Sequence, residues 1–143
     1  MNLVIDSSVV IKWFMDEPLM EQARDILYAY QNNLVNLFAP DLLIAEVGNI
    51  LWKKHRFHGL EVAETIQILG LLQQFEIEYV PSYELIHEAL QIAVQHQRTV
   101  YDALYLALSQ SKLCMYVTAD QKFVNGVQNV FKNVISLADW KNT

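Results

Sequence analysis

Four carboxylates in this chain stand where an acid can do chemistry. Asp6 directly follows the apolar pair Val4 and Ile5, Asp120 follows the run Cys114 to Thr118, and Asp102 opens the apolar run Ala103 to Leu108. Glu46 lies inside a helical pattern: at about 100° per residue it falls between Leu42 and Ile50, within the arc that Leu43, Val47 and Leu51 also occupy. A carboxylate on that side of a helix carries a heavy desolvation cost unless a cation or strong donors meet it. If the four acids converge, their repulsion at low dielectric is severe, and no Lys or Arg is adjacent in sequence to any of them. A divalent cation resolves the conflict. An all-oxygen set, without Cys and without a paired-His spacing, suits Mg²⁺, with Mn²⁺ as a substitute, far better than Zn²⁺. Such a site activates water and stabilises the charge developing on a phosphoryl group in in-line displacement, so the reaction class is hydrolysis of a phosphodiester.

Three of the four acids also have a purely structural explanation. Asp is a favoured helix N-cap, and negative charge beside a helix N-terminus stabilises it by about 0.3–1 kcal/mol, which covers Asp6 and Asp120. Thr99-Val100-Tyr101-Asp102 has the form of a capping box. The helix that follows Asp102 is nonetheless apolar on nearly every side, which buries the helix and leaves Asp102 at its mouth.

Bringing these acids together requires strands that end near one another. Leu3 to Ile5, Leu37 to Ala39, Ile77 to Val80, Cys114 to Thr118 and Val134 to Ser136 read as short strands. Apolar spacing predicts helices over Val9–Met15, capped by Ser7 or Ser8, then over Leu19–Tyr30, Asp41–Phe57 and Leu60–Phe75, with Gly59 as a break. Further helices are predicted over Tyr83–Gln97, capped by Ser82, over Thr99–Ser111, and over Asp120–Gly126. Short apolar strands alternating with longer helices indicate an α/β/α sandwich on a short, mostly parallel sheet, in which chemistry gathers beyond the carboxyl ends of the strands.

Composition sets the frame. With 143 residues, 53% hydrophobic and 18% charged, the chain reads as one domain over 1–143 and not as a disordered tail, a collagen or a coiled coil. A core of this size needs neither disulfides nor a structural metal. The high apolar share leaves surface for an oligomer or a partner, and Leu60 to Phe75 carries more apolar residues than one core-facing stripe requires. The single Cys114, in what reads as a buried strand, cannot form an intramolecular disulfide, which fits a reducing cytoplasm. Asp6 and Lys12 interrupt the N-terminal apolar stretch too early for a membrane span or a signal core. A net charge of −6 argues against a nucleic-acid coat protein, but not against a nuclease whose acids hold cations.

The residues resemble the PIN-domain ribonucleases, and within them the VapC-type toxins of bacterial toxin–antitoxin pairs. The resemblance is carried by Val4-Ile5-Asp6-Ser7-Ser8-Val9-Val10-Ile11-Lys12-Trp13-Phe14 and by Pro40-Asp41-Leu42-Leu43-Ile44-Ala45-Glu46-Val47-Gly48-Asn49-Ile50-Leu51-Trp52. It continues through Thr99-Val100-Tyr101-Asp102-Ala103-Leu104-Tyr105-Leu106-Ala107 and Val117-Thr118-Ala119-Asp120-Gln121-Lys122-Phe123, in the family's order over nearly the whole chain. It implies a PIN-like fold and a Mg²⁺-dependent endoribonuclease with Asp6, Glu46, Asp102 and Asp120 around the metal. Asp6 and Asp102 match the central ligands, Glu46 a ligand directly or through water, and Asp120 the completing acid. Ser7 and Thr118 match positions whose hydroxyls support the site, although capping and strand-end hydrogen bonding explain them equally well. The resemblance further implies a homodimer and a VapB-like antitoxin laid over the cleft.

RNA needs a basic surface, because phosphate contacts supply most non-specific affinity. Lys53, Lys54 and Arg56 follow the Glu46 helix beside Trp52 and Phe57, and Lys12 and Lys122 flank the Asp6 and Asp120 motifs; a solvated helix end explains the first cluster as well. Two other readings compete. A PIN-like module could bind without turnover. A metal-dependent phosphatase or phospho-accepting domain would also place Asp at strand ends, but Asp6-Ser7-Ser8 lacks an acid two positions on, and no Lys follows the later strand where a receiver needs one.

Overall fold

Leu3, Val4 and Ile5 are completely buried, as befits a strand with neighbours on both edges and helices on both faces. In the computed structural model, which describes residues 1–141, they form β1 (Asn2–Ile5), the middle strand of five. From β1 the chain runs through the short helix α1 (Ser7–Val10), a 3₁₀ turn (Ile11–Trp13) and α2 (Met20–Gln31) to β2 (Asn36–Pro40). The helices α3 (Leu42–His58) and α4 (Val62–Gln73) then lead to β3 (Glu78–Val80) at the sheet edge. Helices α5 (Ser82–His96) and α6 (Val100–Lys112) carry the chain back to the other side of β1, where β4 (Met115–Thr118) pairs. Finally α7 (Gln121–Val127) leads to β5 (Val134–Ser136) and a 3₁₀ turn (Leu137–Asp139).

All pairings are parallel, in the order β3-β2-β1-β4-β5. The strand order therefore reverses between β1 and β4, and that switch point opens a crevice beyond their carboxyl ends. The α/β/α sandwich expected from the alternation is present.

The interior is built around α6, whose residues Ala103 to Ser109 are all buried and which packs on β1, β2 and β4. Its N-terminus is fixed by Thr99, whose Oγ1 accepts from the Asp102 amide at 3.1 Å. Trp13 anchors the turn after α1: its Nε1 donates to the Ala23 carbonyl at 2.8 Å, and its ring meets Phe75 edge-on at 5.5 Å. Gly59 closes α3 with a φ of 76°, a left-handed C-cap that glycine adopts without the penalty of a Cβ.

Several local expectations need correction. The first helix begins at Ser7, not Val9, and its cap is Asp6 instead of Ser7 or Ser8: an Asp6 oxygen accepts from the Ser8 amide at 3.0 Å. A carboxylate is the stronger acceptor and stands at the strand end itself, so the helix starts there, tightens into the 3₁₀ turn at Ile11 and ends at Trp13, two residues before Met15. Ser82 does not cap α5; Pro81 occupies that position, and the Ser82 amide and hydroxyl both donate to Asp41. The helix expected from Leu60 starts at Val62. Cys114 is half-buried and precedes β4, because α6 unwinds through Leu113 in the left-handed region. Among the described residues no helix is long and apolar enough to cross a membrane.

Candidate active site

Ile5 pairs with Val117, so Asp6, just past the end of β1, stands beside Thr118, the last residue of β4, at the switch point. Alternation along the strands puts Val4, Asp6, Tyr116 and Thr118 on the face that α6 covers. Asp6 is 8% exposed. One carboxylate oxygen accepts from the amide and hydroxyl of Ser8, the other from the Tyr116 hydroxyl at 2.7 Å. Burial pushes this carboxyl above the usual range, while the hydroxyls of Ser8, Thr118 and Tyr116 and the Val9 backbone pull it down.

Glu46 reaches the same crevice from α3. It is half-buried, and one oxygen accepts from the Tyr105 hydroxyl of α6. Burial raises its pKa first; the Tyr105 bond opposes, the charges of Asp6 and Asp102 raise it further, and Ser7 opposes. Asp102, half-buried in the first turn of α6, is raised by burial and by the charges of Asp120 and Asp6, with Thr99 and Arg98 acting downward. Asp120 is exposed and caps α7, an oxygen accepting from the Phe123 amide at 3.0 Å.

The structure thus brings the four predicted acids into one another's fields. The capping reading is also correct for Asp6 and Asp120, which cap a helix and line the crevice at once. For Asp102 the Thr99 half of a capping box is present. Of the two supporting residues, Thr118 is fully buried, lies 3.4 Å from the Ser8 hydroxyl and accepts from the Asp120 amide at 3.2 Å, linking Asp6 to Asp120. Ser7 faces Glu46.

Four residues that hold or face these acids were not among the site residues legible in the sequence. Ser8, not Ser7, holds Asp6, and its oxygen also accepts from the Ala119 amide at 2.9 Å. Tyr105 and Tyr116 stack with ring centroids 5.7 Å apart and an interplanar angle of 15°, each donating to a different acid. The spacing Asp102-x-x-Tyr105 is a legible signal for one face of a helix; nothing local marks Tyr116, whose role depends on strand register. Arg98 lies so close over Gly126 that a Cβ there would collide with its guanidinium, and its charge reaches Asp102.

The basic residues divide. Lys12 is buried and bonded to Glu17 at 3.1 Å, and Lys54 reaches the same carboxylate at 3.3 Å, which holds Glu17 below the usual range despite its partial burial. Lys53, Arg56 and Lys122 are exposed and, among the described residues, form no ion pair.

Among the described residues, no three His, Cys, Asp or Glu side chains are already gathered as a ligand set for a metal ion. The donor chemistry nevertheless fits a hard divalent cation. The acids are oxygen donors, the charges of Asp6 and Asp102 raise the pKa of Glu46, those of Asp120 and Asp6 raise that of Asp102, and no Lys or Arg among the described residues stands within ion-pair distance of them. A shell completed by water is the ordinary habit of Mg²⁺.

Residues 3–126 match the PIN domain model. The chain is 34% identical over 124 residues to Ribonuclease VapC3 of Pyrobaculum aerophilum, covering 85% of this chain and 92% of that protein. The crystal structure of PAE2754 from the same organism superposes with a TM-score of 0.69 at 23% identity, over 96% of this chain and 93% of that one. A toxin–antitoxin complex from Klebsiella pneumoniae contains a chain of the same fold, with a TM-score of 0.63 at 12% identity, over 94% of this chain and 97% of that one. With its acids at the β1/β4 switch point and its match along nearly the whole length, the chain belongs to the PIN-domain family and is of the VapC type.

Proposed function

We propose that this protein is a Mg²⁺-dependent endoribonuclease, the toxin of a toxin–antitoxin pair, acting in the cytoplasm. The observation that carries the reading is that Glu46 stands in the field of Asp6 and Asp102, and Asp102 in that of Asp6 and Asp120, at the strand-order reversal, with no Lys or Arg among the described residues paired to any of them. The relative named a ribonuclease, at 34% identity, supports it.

Asp6, Glu46 and Asp102 would hold the cation, with Asp120 completing the site or its water shell; Mn²⁺ would substitute. When bound, such an ion activates water and offsets the charge that builds on the phosphoryl oxygens. The chain's own residues set the geometry. Tyr116 and Ser8 fix the two oxygens of Asp6, and Tyr105 fixes one oxygen of Glu46. Ser7 and Thr118 support the same carboxylates. Water adds to phosphorus, one P–O bond to ribose breaks, and the products are a phosphate monoester end and a hydroxyl end. Lys53, Arg56 and Lys122 supply phosphate contacts; Lys12 and Lys54, engaged by Glu17, act on RNA only if that bond opens.

The partners are RNA, a VapB-like antitoxin and a second copy of the chain. Val62 and Ile66, one turn apart on the same side of α4, are 59% and 65% exposed, an apolar surface suited to burial against protein. The test is cleavage of end-labelled total RNA with Mg²⁺, Mn²⁺ or EDTA. Cutting in either metal, absent in EDTA and in Asp6→Asn and Asp102→Asn, is expected. No cutting by folded, antitoxin-free protein would leave the binding-module reading standing.

A further inference from the structure

Beside the acidic crevice, on the outer side of α3, lies a small concavity of about 240 Å³ lined by Leu42, Ala45, Glu46, Asn49 and Tyr101. Leu42, Ala45, Glu46 and Asn49 follow the spacing i, i+3, i+4, i+7, so they form one face of α3, and Tyr101 borders the shallow concavity from the first turn of α6. Its walls are of three kinds. Leu42 and Ala45 give an apolar floor, Glu46 belongs to the crevice, and Asn49 and Tyr101 carry polar groups that, among the described residues, have no hydrogen-bond partner. Tyr101 is 63% exposed and makes no aromatic contact among the described residues, whereas Tyr105 and Tyr116 of the same site are packed together. An uncovered ring next to Asp102 has no part in the core.

We infer that this concavity is a subsite for one unpaired nucleobase of the RNA strand, stacked on Tyr101 and met on its edge by the Asn49 amide. The inference rests on the nuclease reading given above. The space is below the usual range for drug-sized ligands and suits a single planar ring system. Every base offers a π-face, and an Asn side chain presents a donor and an acceptor side by side, which matches a base edge. Sharing Glu46 with the acidic crevice puts such a base next to the scissile phosphate. Lys53, exposed and four residues beyond Asn49 on the same face of α3, stands about 6 Å farther along the helix axis, in position for the phosphate of an adjacent nucleotide.

The experiment compares wild type with Tyr101→Ala, Tyr101→Phe and Asn49→Ala, sequencing the ends cut in a random-sequence single-stranded RNA pool with Mg²⁺, and measuring Mn²⁺ binding by electron paramagnetic resonance. Expected is a base preference at one position flanking the cut. Tyr101→Ala should lower the rate roughly 10- to 100-fold and flatten that preference, Tyr101→Phe should keep both, Asn49→Ala should change which base is preferred, and Mn²⁺ binding should hold in all three. Wild-type rate and preference in Tyr101→Ala would overturn the inference, as would loss of Mn²⁺ binding in that variant, which marks a structural role. Weakened binding of a co-expressed antitoxin by Tyr101→Ala, with cutting unchanged, would overturn it in favour of a protein contact. If wild type cuts no RNA in the pool or in total RNA, the nuclease reading falls instead.

Discussion

Asp6 caps a helix, accepts three hydrogen bonds and is still pushed toward its protonated form by burial. The sign follows from linkage. A carboxyl whose folded pKa lies above its unfolded value makes the native state hold the extra proton, so stability falls as pH rises from the unfolded value toward the raised folded one. In EDTA, Asp6→Asn should therefore gain thermal midpoint relative to wild type at pH 7.5 more than at pH 5; an equal difference at both pH values would contradict the burial argument. The tyrosines act one step removed. Tyr105→Phe and Tyr116→Phe keep the stacked rings but each leaves a carboxylate short of a donor, and loss of such a partner weakens metal binding by roughly 10- to 100-fold. Calorimetric Mn²⁺ titration checks this, and affinities equal to wild type in both variants would refute it.

At the scale of elements, the site depends on where helices begin and end. Parallel strands deliver their carboxyl ends to one side, and α1, α6 and α7 begin there, each with an acid at its cap or in its first turn. The far end of α6 is less well matched. Leu113 ends that helix at a φ of 51° while 92% exposed, and nothing in the structure explains a leucine there. Leu113→Gly should raise stability by about 1 kcal/mol, a rise of several degrees in the unfolding midpoint. A lower midpoint would show that the leucine is covered by something it packs against. Boundaries were the least legible feature of the sequence for the same reason: Asp6, Ser7 and Ser8 are all competent caps, and the choice fell to the strand end, which local sequence does not display.

Taken whole, the molecule leaves apolar side chains outside its core. Val62 and Ile66 of α4 and Tyr83, Leu90 and Val94 of α5 are each more than half exposed. Sedimentation at micromolar concentration should give a species larger than the 143-residue monomer, and Ile66→Glu or Val94→Glu should shift it toward monomer. A monodisperse monomer for wild type would refute self-association. Added Mg²⁺ should raise the unfolding midpoint of wild type at pH 7.5 and not that of Asp6→Asn, because only a native state that binds the ion gains from it.

The sequence by itself determined the element types, the α/β class, and the standing of four acids at strand ends, helix starts or a core-facing helix side, the set we propose as the site. Each of these is written in local terms: apolar runs, 3.6-residue periodicity, and a carboxylate placed where burial must be compensated. Tertiary structure decided the rest. Whether Lys12 faces solvent or Glu17, and whether Tyr116 holds Asp6, depends on strand register and helix packing between residues far apart in the chain. The same is true of Arg98 lying over Gly126, since both residues are ordinary until α7 is laid beside the start of α6. Local preference fixes what a segment becomes; which side chains meet is set by how the segments are stacked.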